Sequence, residues 1–272
     1  MSLPLSMQTR FLTSLFLLSL FIAPTAAQDT DPFMRHPSVH PDGDRIAFSY
    51  QGDLWTVPTD GGTPERLTIH EAYEGQPRWG PEGTRIAFTS DRYGNDDLYV
   101  MTAAGSTPER LTYHSTGDAI GGWTPDGQIL FTTRRTYAQA EWSDEIYTVD
   151  AEGGTPDRRL DAVGSSPRMS PDGRFVAFVR GYNDVTKKGY EGPANRDVWV
   201  YDTENDTYTQ VTTYAGNDHS PVWTGPRTLV YVSEQSGTYN VHRLSITNEG
   251  AADGAPEAVT TYEEEGVRSL SA

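Results

Sequence analysis

The sequence predicts an all-β fold: a β-propeller of four-stranded blades, with five repeats and the start of a sixth. Three observations carry that prediction. A unit of roughly 45 residues recurs along the chain. Each unit is punctuated by Gly and Pro turns, in a chain of 272 residues that holds 26 Gly and 18 Pro. No unit shows the 3.6-residue periodicity of an amphipathic helix.

The first unit runs Pro37-Ser38-Val39-His40-Pro41-Asp42-Gly43, Arg45-Ile46-Ala47-Phe48, Asp53-Leu54-Trp55, Gly61-Gly62-Thr63-Pro64 and Arg66-Leu67-Thr68. The second repeats it almost position for position, from Pro77-Arg78-Trp79-Gly80-Pro81-Glu82-Gly83 through Arg85-Ile86-Ala87-Phe88 and Asp97-Leu98-Tyr99 to Arg110-Leu111-Thr112. The third carries Trp123-Thr124-Pro125-Asp126-Gly127, Ile129-Leu130-Phe131, Glu145-Ile146-Tyr147 and Arg159-Leu160. The fourth carries Pro167-Arg168-Met169-Ser170-Pro171-Asp172-Gly173, Phe175-Val176-Ala177-Phe178, Asp197-Val198-Trp199 and Val211-Thr212. The fifth carries Pro221-Val222-Trp223, Thr228-Leu229-Val230-Tyr231, Asn240-Val241-His242 and Val259-Thr260. The aromatics closing the second segment stand 40, 43, 47 and 53 residues apart, so insertions accumulate between strands while the unit persists.

Each segment has a physical reading. Pro-Asp-Gly is a tight turn, because proline presets φ and glycine accepts positive φ. Ile-Ala-Phe alternates large and small apolar residues, as a strand packed on both faces does. Asp-Leu-Tyr opens a third strand, Gly-Gly-Thr-Pro is a second turn, and Arg-Leu-Thr is expected to start an outer strand. The recurring acids Asp53, Asp97, Glu145 and Asp197 invite an acid-catalysis reading. Their repetition points instead to a structural role, accepting hydrogen bonds from a neighbouring turn. Trp55, Tyr99, Tyr147 and Trp199 read as blade-packing aromatics, with His242 standing in the same place.

The first 27 residues differ in kind. Arg10 precedes an apolar run of 13 residues, Phe11 to Ala23, and Pro24-Thr25-Ala26-Ala27 follows. That pattern is a secretory signal peptide with cleavage expected after Ala27, too short an apolar run to span a bilayer. Residues 28–272 then form the propeller, expected in a secreted or periplasmic location. The chain has no cysteine, which removes disulfides, thiolate ligands and cysteine nucleophiles. Its formal net charge of −17 repels nucleic acid and anionic membranes, so neither is expected as a partner.

Motifs of chemistry do not emerge. No Gly-x-Ser-x-Gly elbow and no phosphate-cradling glycine loop is present. The six histidines, His36, His40, His70, His114, His219 and His242, lack metal-ligand spacing, and His70-Glu71 has no second histidine to complete a zinc motif. His70 and His114 follow the Arg-Leu-Thr element and read as repeat positions. Catalytic, cofactor-binding and metal-binding residues are accordingly assigned to none, and no cofactor is expected. Asn205-Asp206-Thr207 fits a glycosylation acceptor but reads as a turn between strands.

The repeats resemble the propeller units shared by TolB-like proteins, prolyl-oligopeptidase-type propellers and tricorn proteases. Three segments narrow the resemblance: His114 to Gly127, Glu191 to Trp199, and Ala215 to Trp223. Their order is similar to the amino-terminal, six-bladed propeller of the tricorn protease family, and the likeness runs from Asp31 to Ala272. It implies a serine peptidase whose propeller is a scaffold and gated channel for peptides, with the catalytic and PDZ-like domains elsewhere. Peptides, protein partners and those remaining domains are the implied partners. Ser269-Leu270-Ser271-Ala272 reads like the lead into another turn, so the chain is expected to be a fragment whose sixth blade is cut off. The alternatives are a five-bladed ring complete in itself and a stand-alone TolB-like binding propeller.

Overall fold

A computed structural model describes residues 33–136, 144–264 and 266–271 of the chain. The expected signal peptide lies outside the described residues. From Phe33 onward the chain is one compact unit of five antiparallel four-stranded sheets, the blades of the expected propeller. Blade 1 holds β1 (Arg35–Val39), β2 (Arg45–Tyr50), β3 (Asp53–Pro58) and β4 (Glu65–Arg66). Blade 2 holds β5 (Glu74–Trp79), β6 (Arg85–Ser90), β7 (Asp97–Thr102) and β8 (Glu109–Arg110). Blade 3 holds β9 (Ala119–Trp123), β10 (Gln128–Thr133), β11 (Glu145–Asp150) and β12 (Asp157–Val163). Blade 4 holds β13 (Ser165–Met169), β14 (Phe175–Arg180), β15 (Asp197–Asp202) and β16 (Thr207–Gln210). Blade 5 holds β17 (Asp218–Gly225), β18 (Thr228–Ser233), β19 (Asn240–Ile246) and β20 (Ala252–Ala258).

Within each blade the strands pair in chain order. The expected aromatics face each other across the second and third strands: Phe48 with Trp55, Phe88 with Tyr99, Phe131 with Tyr147, Phe178 with Trp199, and Tyr231 with His242. His242 is buried, 5.9 Å from the Tyr231 ring, and hydrogen-bonded to Gln235 at 2.7 Å. The turns after the first strands close as expected, with Gly43, Gly83, Gly127 and Gly173 all at positive φ.

The Arg-Leu-Thr element does not start the outer strand; it ends it. Arg66 and Arg110 are the last residues of β4 and β8, and the threonine lies just beyond. There it has a repeated task. The hydroxyls of Thr68, Thr112, Thr212 and Thr260 each accept the backbone N–H of the second residue of the third strand, all at 2.9 Å. The arginine turns back to the acid that begins the third strand, as in the Arg66–Asp53 pair and the Arg110–Asp97 pair, the latter at 2.7 Å. The repeated acids therefore fasten the outer strand as well as the turn. Asp53 also accepts the His70 backbone N–H at 3.1 Å, and Glu145 accepts those of Arg135 and Thr136.

Four apolar clusters hold the blades together, one at each junction from blade 1–2 to blade 4–5. Phe88, Phe131 and Phe178 are fully buried within them. Among the described residues, every substantial strand-to-strand packing between blades joins consecutive blades, and none joins blade 5 to blade 1. After Thr260 the described residues form no strand; the tail is tied down where Val267 donates its N–H to the Tyr239 carbonyl at 2.8 Å.

A second fastening sits at the inner strands. Trp79 donates its indole N–H to the Ser38 carbonyl of blade 1 at 3.0 Å. Trp123 does the same to Arg78 of blade 2 at 2.9 Å, and Trp223 to Arg168 of blade 4 at 3.0 Å. Met169 occupies this place in blade 4 and has no N–H to give. Trp79→Phe keeps the ring but removes the donor, and should lower stability by about 1–2 kcal/mol. Trp79→Ala should cost about 3–5 kcal/mol. Urea unfolding of both variants checks the difference: equal losses would mean that the donor alone matters, and no loss in Trp79→Phe that packing alone does.

Candidate functional site

The inner strands bring one residue per blade to the propeller axis. Pairing with the second strand aligns Ser38, Arg78, Gly122, Arg168 and Val222. Each inner strand carries a register shift just before that residue. In four blades the shift contains a non-glycine residue at left-handed φ, namely His36, Gln76, Ser166 and Ser220, at 52–53°. Each precedes a proline. Such a bulge costs backbone energy and re-aims the side chain that follows.

These strand ends and the adjoining turns enclose a cavity of about 630 Å³. Its wall is largely apolar and aromatic, including Trp79, Trp123, Val222, Trp223 and the turn prolines. Its two cations are Arg78 and Arg168, and no carboxylate lines it. The arginines come from blades 2 and 4 and meet over blade 3, where Gly121 and Gly122 leave the space open. A Cβ at Gly121 would lie 2.6 Å from the Pro167 carbonyl oxygen, so no other residue fits there. Arg78 Nε donates to the Gly121 carbonyl at 3.3 Å, and Arg168 Nη1 donates to the same oxygen. Each also donates from Nη1 to its own neighbouring proline carbonyl, Arg78 to Pro77 at 2.9 Å and Arg168 to Pro167 at 3.0 Å.

Among the described residues neither arginine forms an ion pair, and Nη2 of neither has an acceptor. Burial pulls Arg78 down to about 10. Burial, reinforced by the charge of Arg78, pulls Arg168 well below the usual guanidinium range. Arginine stays protonated in proteins, so both half-buried side chains bring positive charge to the cavity wall.

The opposite ends of the inner strands hold acids instead. Glu74 pairs with Arg92, and Asp118 with Arg135 at 2.7 Å. In blade 5 the acid is Asp218, and Gln235 stands where Arg92 and Arg135 stand, so the cation is missing. Asp218 is 1% exposed, and burial pushes its carboxyl up to about 7 despite the Ser233 and Thr212 hydroxyls. Beside it, burial and then the charge of Arg196 push His219 down to about 4.

The sequence assigned no site residue. Of the six histidines, His40 reaches the cavity wall, with Nε2 3.2 Å from the Gly83 carbonyl oxygen and its ring against Trp79. His70 and His114 each accept a backbone N–H two residues on, at 3.0 and 3.1 Å. Arg78 and Arg168 each follow an inner-strand proline in the repeat. The available signal was their alternation with Gly121-Gly122 at one repeat position.

Residues 31–272 match the family described as the tricorn protease N-terminal beta propeller domain. A tricorn protease homolog from Saccharolobus solfataricus is 24% identical over 216 residues, 76% of this chain and 20% of that protein. Tricorn protease homolog 1 from Streptomyces coelicolor is 39% identical over 62 residues, 23% of this chain and 6% of that protein. The matches thus span no more than a fifth of these relatives' length. Solved structures share the fold. Tricorn protease superposes with a TM-score of 0.72 at 20% identity, over 88% of this chain and 23% of that one. A putative TolB from Agrobacterium tumefaciens gives 0.67 at 20% identity, over 85% and 82%.

The folded state holds the Asp218 proton up to about 7, whereas the unfolded chain releases it near the ordinary carboxylate value of 3.8. Between those values the native state binds more protons, so this group's contribution to stability falls as pH rises. Asp218→Asn should match the parent near pH 4 and exceed it above pH 7 by on the order of 3 kcal/mol. Urea unfolding across that range reads the difference, and a gap that does not grow with pH would contradict the assignment.

Proposed function

Because the chain belongs to the tricorn protease amino-terminal β-propeller family, we propose that it is the propeller domain of an exported tricorn-like serine peptidase. Its role is scaffold and gated passage for peptides, and the nucleophile comes from other domains. The observation that carries this reading is the family match over the whole described body. The axial cavity supports it, since all five inner strands border an opening that an extended peptide side chain or chain end can enter. The second reading is a stand-alone, TolB-like periplasmic propeller that binds proteins. It draws on the likeness of fold, which spans most of the Agrobacterium protein.

The gene beyond the codon for Ala272 separates the two. Continuation in frame into further blades, a PDZ-like domain and a serine-protease domain is the expected result. A stop codon there, with protein of this length recovered from the periplasm, would favour the binding propeller.

Export follows from the basic residue, short apolar run and small residues of the leader. Mass spectrometry of the protein from the periplasmic fraction should find Gln28 as its first residue. Recovery of the intact leader from the cytoplasm would remove the export proposal.

A further inference from the structure

We propose that Arg78 and Arg168 form an anion site in the axial cavity, and that its ligand is a monoanionic carboxylate on an apolar body, such as the end of a short peptide. The peptide identity rests on the reading of the axis as a peptide passage; the carboxylate site does not.

The argument begins with charge. The protein carries an excess of acids, and those that are buried at the far strand ends mostly meet arginines: Glu74 with Arg92, Asp97 with Arg110, Asp118 with Arg135. Cations are thus scarce and generally paired. Two half-buried guanidiniums that share one carbonyl oxygen at the cavity wall repel each other, and an anion between them would relieve that repulsion. Arg78 and Arg168 have only backbone carbonyls as partners among the described residues, and their bonds to one carbonyl oxygen bring the two heads together. The glycines of blade 3 keep the space between them clear.

The class of anion follows from the surroundings. A net charge of −17 opposes approach of a dianion more strongly than that of a monoanion. The planar guanidinium fork matches a carboxylate, which can receive both free Nη2 groups. The rest of the wall is tryptophan, valine and proline, which suits an apolar body attached to the carboxylate.

The three wall tryptophans provide the readout. The full chain is titrated with phenylacetate, phenylacetamide, inorganic phosphate, and N-acetyl-Ala-Ala-Phe as free acid and as amide, followed by tryptophan fluorescence and calorimetry. Phenylacetate should bind at least about tenfold more tightly than its amide, a gap expected of charge-assisted hydrogen bonds. Arg78→Gln and Arg168→Gln should each weaken it about tenfold or more, with Arg168→Lys retaining part of the affinity. If the glutamine variants do not fold, the acid-to-amide ratio of the parent protein decides. Equal binding of acid and amide, or none at roughly 10 mM, overturns the site. Phosphate binding as tightly as phenylacetate overturns the carboxylate assignment. Discrimination for phenylacetate without binding of the peptide acid upholds the site and removes the peptide passage.

Discussion

The propeller depends on a fastening that crosses from one blade to the one before it at three of the four described junctions. An indole N–H at the end of an inner strand meets the backbone carbonyl of the preceding blade beside the axis. Only a side chain that is both large and a donor can do this, since the carbonyl must be satisfied and the junction must be filled. The same tryptophans belong to the apolar clusters at the junctions, as Trp79 does between blades 1 and 2 and Trp223 between blades 4 and 5. Packing and polar satisfaction therefore fall on one residue type.

Electrostatics is organised by repetition too. At the third strands an acid, an arginine and a threonine recur as a clamp on the short outer strand, which would otherwise be a two-residue edge. Burial raises Asp97 even beside Arg110, and it raises Asp197 in blade 4, where Gln210 replaces the arginine. In blade 5, Gln235 replaces the arginine that serves Asp118 in blade 3, and Asp218 is left without a cation.

Most of the fold was legible because the repeat is written in turn chemistry and alternation. Pro-Asp-Gly requires a tight turn wherever it occurs, and Ile-Ala-Phe requires burial on two faces. The facing of Phe88 on Tyr99 and of Phe131 on Tyr147 follows from those segments alone. Arg-Leu-Thr was misplaced by a few residues because its threonine works through a side-chain hydroxyl beyond the strand, which strand periodicity does not register. The axial arginines were not legible as a pair. Arg78 and Arg168 lie 90 positions apart in sequence, and only closure around blade 3 sets both against one glycine carbonyl. A repeat-by-repeat comparison of the inner-strand residue paired with the second strand exposes Arg, Gly and Arg in succession, but not their distance.

The junction between blades 3 and 4 has Met169 where others have tryptophan, and Arg168 reaches across it to Gly121 instead. That joint is fastened by a charged group which also faces the axis. Occupancy of the axis and cohesion of the joint are consequently two readings of one thermodynamic cycle: an anion that steadies this guanidinium in its place steadies the joint, and by reciprocity a firmer joint holds the anion more tightly. Arg78 ties the joint between blades 2 and 3 into the same cycle through the same carbonyl, whereas the joints between blades 1 and 2 and between blades 4 and 5, tied by neutral indoles, lie outside it.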